Sequence, residues 1–109
     1  MSPTEMEGTD LQPIADIDQL VHQPSRLMIL AVLYVVESAD FLFLMHQTGL
    51  TRGNLSSHMS KLEAAEYIDI KKEFVGKIPR TLLHLTDKGR GAFQTYRHDM
   101  IQVLEDLVG

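Results

Sequence analysis

At Tyr67 the spacing of apolar residues changes from helical to alternating, and no other feature restricts the possible folds as tightly. Before it, Phe41, Leu44 and Met45, then Leu55, Met59 and Leu62, recur at helical intervals on one side of two successive segments. After it, Ile68, Ile70 and Lys72 alternate with Asp69, Lys71 and Glu73, as a half-buried strand should. Gly76-Lys77-Ile78-Pro79 reads as a short turn and Arg80 to Leu85 as a second strand, so the two make a hairpin. Thr86 then caps a final long helix from Asp87 to about Leu107.

Upstream of the switch the punctuation is equally informative. Residues 1–12 are rich in Thr, Glu, Pro and Gly, the composition of a disordered tail, which leaves 13–109 as a single domain. Ile14, Ile17, Leu20 and Val21 are spaced for one face of a short helix. Pro24 suits the first turn of the next helix, roughly 24 to 37, which is apolar almost all round and is expected to be buried. Ser38-Ala39-Asp40 ends it and offers Asp40 as the cap of a two-turn helix reaching Gln47. Thr48-Gly49-Leu50 is a turn in which Gly49 supplies a positive φ, and Thr51 caps a helix over roughly 52–65. The expected class is mainly α with one small β-hairpin. Helix, helix, helix, turn, helix, hairpin, long helix is the winged helix-turn-helix order.

The 109 residues carry a net charge of −5, unpromising for a nucleic-acid partner until its distribution is considered. Residues 51–90 hold eight Lys or Arg against five Asp or Glu, whereas the rest of the chain holds two against ten. A basic face on an acidic protein is what a phosphate backbone would meet. The chain has no cysteine, which removes disulfides and thiolate chemistry together. Its longest apolar run, Leu27 to Val36, is too short to cross a bilayer, and Met1 to Pro13 lacks the apolar core of a signal peptide. A cytoplasmic protein is expected, with no membrane partner.

On a wheel at about 100° per residue, Leu55, Met59 and Leu62 fall together and must face the core. The opposite side collects Gly53, Ser56, Ser57, Ser60, Lys61 and Ala64, with Arg52 and Asn54 on the first turn. Small residues and hydroxyls let a helix approach base edges closely, and Asn54 can pair bidentately with adenine. Thr51 and Arg52 stand where free backbone N–H groups and the helix dipole favour a phosphate. In the hairpin, Lys77 at the tip and Arg80 just past Pro79 are placed to reach phosphates or a minor groove. Lys71 and Lys72 are weaker candidates, because alternation turns one of them aside and edge strands carry Lys to prevent aggregation.

The final helix bears a stripe at Phe93, Tyr96, Met100, Val103 and Leu107, widened by Ile101, Leu104 and Val108. So wide an apolar surface, with Ile14, Ile17 and Val21 near the N-terminus, points to a dimer interface between two copies. The five histidines (22, 46, 58, 84 and 98) include no i,i+4 pair, and no metal, cofactor or catalytic constellation is expected. An enzyme is not indicated.

The stretches PSRLMIL (24–30), DFLFLMHQTGLTRGNLSSHMSKLEAAEYI (40–68), FVGKIPRT (74–81) and LTDKGR (85–90) resemble the winged-helix domain of MarR/ArsR-type transcriptional regulators. The resemblance implies a recognition helix at 51–65, a wing at 74–81, and dimerisation through the terminal helices. It implies a homodimeric repressor on a pseudo-palindromic duplex site, its effector unassigned. Glu66 departs from the glycine common in that family and must take an awkward backbone angle or end the helix differently. Leu82, Leu83 and His84 also replace more polar residues. The competing reading is a winged-helix module that binds protein without touching DNA.

Overall fold

The computed structural model describes residues 2–8 and 10–108. Their order is α1 (Pro3–Met6), α2 (Gln12–Ala15), α3 (Pro24–Val36), β1 (Ser38–Asp40), α4 (Phe41–Thr48), α5 (Arg52–Ala64), β2 (Ile68–Val75), β3 (Ile78–Leu85) and α6 (Asp87–Val108). The expected order of helices and hairpin is present, and the fold is a winged helix. Of the 1–12 segment, Met1 and Thr9 lie outside the described residues, as does Gly109. Ser2 and Glu5 form a capping box around the single exposed turn of α1.

Caps set the element boundaries. The Asp40 carboxylate accepts from Phe43 N–H and starts α4; Gly49, at φ 72°, ends it. Thr51 Oγ1 accepts from Asn54 N–H at 3.2 Å and starts α5. Thr86 Oγ1 accepts from Gly89 N–H at 2.9 Å and donates to the Glu66 carbonyl at 2.6 Å, so one hydroxyl starts α6 and ties it to the end of α5. That end is a Schellman motif, with Tyr67 N–H on Leu62 O and Glu66 N–H on Glu63 O, both 2.9 Å. The motif demands a left-handed residue, and Glu66 supplies it at φ 64°: the awkward angle is taken. Glu66→Gly is therefore expected to raise stability by about 1 kcal/mol, since glycine has no Cβ to strain there. A higher urea midpoint with unchanged m would check it.

Four features depart from expectation, three of them from Ser38 onward or in α3. Ser38–Asp40, read as a break between helices, is a third strand pairing antiparallel with β3, so the sheet runs β1-β3-β2. Three residues of weak strand preference leave no periodic signal; the pairing comes from Leu82, Leu83 and His84 across the ladder. β3 also begins earlier than expected, at Ile78, so the loop is only Gly76-Lys77 with Gly76 at φ 65°. Finally, α3 is not buried all round. Ile29, Leu30 and Leu33 are in the core, while Val35 is 80% exposed.

Around Ile14–Val21 the helix is only the turn Gln12–Ala15, and the chain then folds over Asp18. The Asp18 carboxylate accepts from Leu20 and Val21 N–H (2.9 and 3.2 Å) and from the Tyr67 hydroxyl at 2.6 Å. Burial, and then the bond to Asp18, pushes the Tyr67 phenol up to about 12. His22 Nδ1 lies 2.8 Å from the Tyr96 hydroxyl. Pinned at both points, the segment puts Ile17 and Val21 into the chain's own core with Leu44, Leu55, Leu62, Ile68 and Leu83.

Candidate nucleic-acid interface

α3 packs against both α4 and α5, α5 packs against β2, and the hairpin follows at once, so α5 and the β2–β3 wing border a common groove. Its volume is about 570 Å³, and Phe41, Arg52, Ser56, Met59, Lys72 and Ile78 are among its lining residues. The core side of α5 is settled by Leu55 and Leu62, both fully buried, with Met59 half-buried beside them. Thr51, Arg52, Asn54, Ser57, Ser60 and Lys61 are exposed, and Ser56 is half-buried toward the groove.

Local bonds refine what each could offer a ligand. The Ser60 hydroxyl donates to the Ser56 carbonyl at 3.0 Å, so its proton is spent and only lone pairs remain. Arg52 lies 5.3 Å over the Phe41 ring, which fixes a cation at the N-terminus of α5. His58 is turned inward. Arg26 Nη1 donates to its Nδ1 at 3.2 Å, and because arginine only donates, the imidazole proton is on Nε2. Burial first, then the charges of Arg26 and Lys61, hold His58 below its ordinary pKa, so it brings no charge to this face at neutral pH.

The two wing cations are not equivalent. Arg80 Nε lies 3.7 Å from Asp40 Oδ2, which draws it back toward the start of α4. Lys77 sits in the loop and has no ion pair among the described residues. Lys72, the weaker candidate in the sequence, lines the groove with Arg52 and Arg80, whereas Lys71 pairs with Glu73 at 3.7 Å. Periodicity could not place Lys72, because its position depends on how the hairpin leans over α5.

The residues expected at a dimer interface divide. Ile17, Val21, Tyr96 and Val103 are buried within the protomer; Phe93, Met100 and Leu107 are half-buried against the same core; Ile14 is exposed. On α6 one flank of the apolar stripe packs inward and the other, Ile101 (43% exposed) and Leu104 (55%), stays open. Only part of the stripe's width is used inside the protomer.

Residues 25–104 match the family model for the winged helix DNA-binding domain. An uncharacterised protein of Methanocaldococcus jannaschii is 35% identical over 82 residues, covering 75% of this chain and 89% of its own. The chain belongs to the winged-helix DNA-binding domain family. Among solved structures, a transcriptional regulator homologue from Pyrococcus horikoshii superposes with a TM-score of 0.83 at 26% identity, over 89% of this chain and 98% of that one. A MarR-family transcriptional regulator from Silicibacter pomeroyi shares the fold at a TM-score of 0.62 and 16% identity, over 94% of this chain and 68% of that one. The family and fold are those of transcriptional regulators. No helix among the described residues is long and apolar enough to cross a membrane.

Proposed function

We propose that this winged-helix protein is a cytoplasmic, homodimeric repressor that reads double-stranded DNA, with α5 in the major groove and the wing on the backbone or minor groove. The observation that carries the reading is the exposed hydroxyl and amide face of α5, flanked by Arg52 at one end and by a wing holding Lys72, Lys77 and Arg80. The competing module without DNA draws support from the net charge of −5. Titrating random duplex at low salt separates them: binding whose log affinity falls linearly with log salt supports the regulator, and no binding supports the module.

Within that experiment the wing cations are expected to differ. Lys77→Ala should lower the salt slope by about one, the loss of one neutralised phosphate, for every sequence tested. Arg80→Ala should lower it by less, because Asp40 already holds that guanidinium. Equal slopes for wild type and both variants would make the wing a structural element only.

Two observations support a dimer. The radius of gyration is 17.3 Å, against about 13 Å for a compact domain of this length. The open flank of α6 also leaves Ile101 and Leu104 in solvent. Ile101→Glu with Leu104→Glu is expected to give folded monomers by sedimentation equilibrium, with DNA affinity reduced at least tenfold. A wild-type mass near 12.3 kDa at all concentrations would rule the dimer out. Val103→Glu does not serve, since Val103 is in the protomer's own core.

A further inference from the structure

At the wing tip the hairpin stops being amphipathic. In the register, Phe74 faces Pro79 and Val75 faces Ile78. Cross-strand partners share a face and successive residues alternate, so Phe74 and Pro79 lie on one face and Val75 and Ile78 on the other. Lower in the hairpin the Phe74 side leads to Ile68, Ile70, Leu83 and Leu85, which face the core. At the tip no core remains, yet both faces stay apolar, with Phe74 73% and Ile78 70% exposed. A strand pair meant for solvent would be polar there, and one meant for a flat partner would be apolar on one side only.

On its β3 side the tip is closed to strand addition. Leu85 N–H points away from β2, to the Glu37 carbonyl, and so do the backbone N positions that alternate with it along β3. Pro79 is one of these. β1 covers only Leu82 to His84, so the open edge at the tip presents a proline where a donor would be needed. The charge around the blade is net positive: Lys71 and Arg80 are paired with Glu73 and Asp40, which leaves Lys72 and Lys77 without an ion pair among the described residues.

An apolar blade ringed by cations suits one partner surface in particular, a polyanion with a stacked apolar interior. We infer that the wing tip is a wedge: Phe74 and Ile78 enter the DNA minor groove, partly unstack a base step and bend the duplex, while Lys77 holds the adjacent phosphates. This inference rests on the DNA-binding reading above. The ribbon itself is too broad for a groove about 6 Å wide, so only side chains enter. The cost of unstacking is offset by removing two large apolar side chains from water, and a bend brings more phosphate to the cations of the groove.

The test uses the full chain and a duplex that it recovers from a random library, end-labelled for energy transfer and carrying 2-aminopurine at the steps beneath the wing. Wild type should bend the duplex by roughly 20–90° and raise 2-aminopurine fluorescence. Phe74→Ser with Ile78→Ser should return both signals to those of free duplex while the sequence preference of α5 survives, and Lys77→Ala should weaken binding yet keep the bend. A duplex bound straight, or signals unchanged in the double variant, would overturn the wedge and leave the regulator standing. Loss of the dimer in the double variant would also overturn it, by making a second copy the occupant of the tip. If no duplex is recovered or bound even at low salt, both readings fall.

Discussion

Gly89→Ala should destabilise the protein by about 3 kcal/mol or more and lower its urea midpoint accordingly. Helix propensity gives the opposite sign, because alanine in place of glycine stabilises a helix interior by about 1 kcal/mol. Gly89 is the third residue of α6, and its N–H is the one that Thr86 caps. A Cβ there would collide with the Tyr67 carbonyl oxygen and come within 2.8 Å of the carbonyl carbon. Neither atom can retreat. The Tyr67 carbonyl accepts from Thr86 N–H at 3.1 Å, its N–H closes α5, and its hydroxyl is tied to Asp18. Overpacking against backbone exceeds the usual range of small-to-large changes, and domains of this size hold only about 5–15 kcal/mol in reserve. Gly91→Ala is the control: nothing lies within 4 Å of its Cβ, so stability should rise by up to about 1 kcal/mol. Urea midpoints for both variants check the pair; a Gly89→Ala midpoint at or above that of the parent, like that of Gly91→Ala, would show that the contact at Tyr67 relaxes.

That contrast marks what could be read in the sequence. Caps, turns and periods are local, so Thr51, Gly49, Thr86 and the switch at Tyr67 revealed the element order, and Glu66 revealed its own strain. The contact of Gly89 with Tyr67 joins elements whose separation only the folded chain defines, and the motif LTDKGR gives no hint that its glycine is steric. The same holds for β1, whose strand state belongs to its partner β3, and for Ile17 and Val21, whose helical spacing suggested an outer face until Asp18 turned the chain inward. Among the candidate contacts, α5 was legible because a single helix fixes its own faces. The different surroundings of Lys77 and Arg80 were not, since they depend on Asp40 across the fold.

The exposed face of α5 is expected to carry the sequence preference, and unevenly. Asn54→Ala should cost up to about 3 kcal/mol on the preferred site, the scale of one bidentate base contact, and little on random duplex. Ser57→Ala should cost about 1 kcal/mol. Ser60→Ala should cost less than Ser57→Ala, because the Ser60 proton is already given to the Ser56 carbonyl. A helix N-terminal residue meets the floor of the major groove before a residue two turns later does, and Asn54 holds that position with its side chain in solvent. None of these side chains supports the core, so circular dichroism of each variant should match the parent. Two such helices in a two-fold dimer would lie about 34 Å apart, and selection from a random library should return half-sites one helical turn apart. Sites lacking that symmetry would remove the dimer from the act of reading. Unchanged preferences in the variant with Asn54, Ser56, Ser57 and Ser60 all made Ala would remove α5 itself, leaving the duplex to be chosen by the wing and by its own deformability.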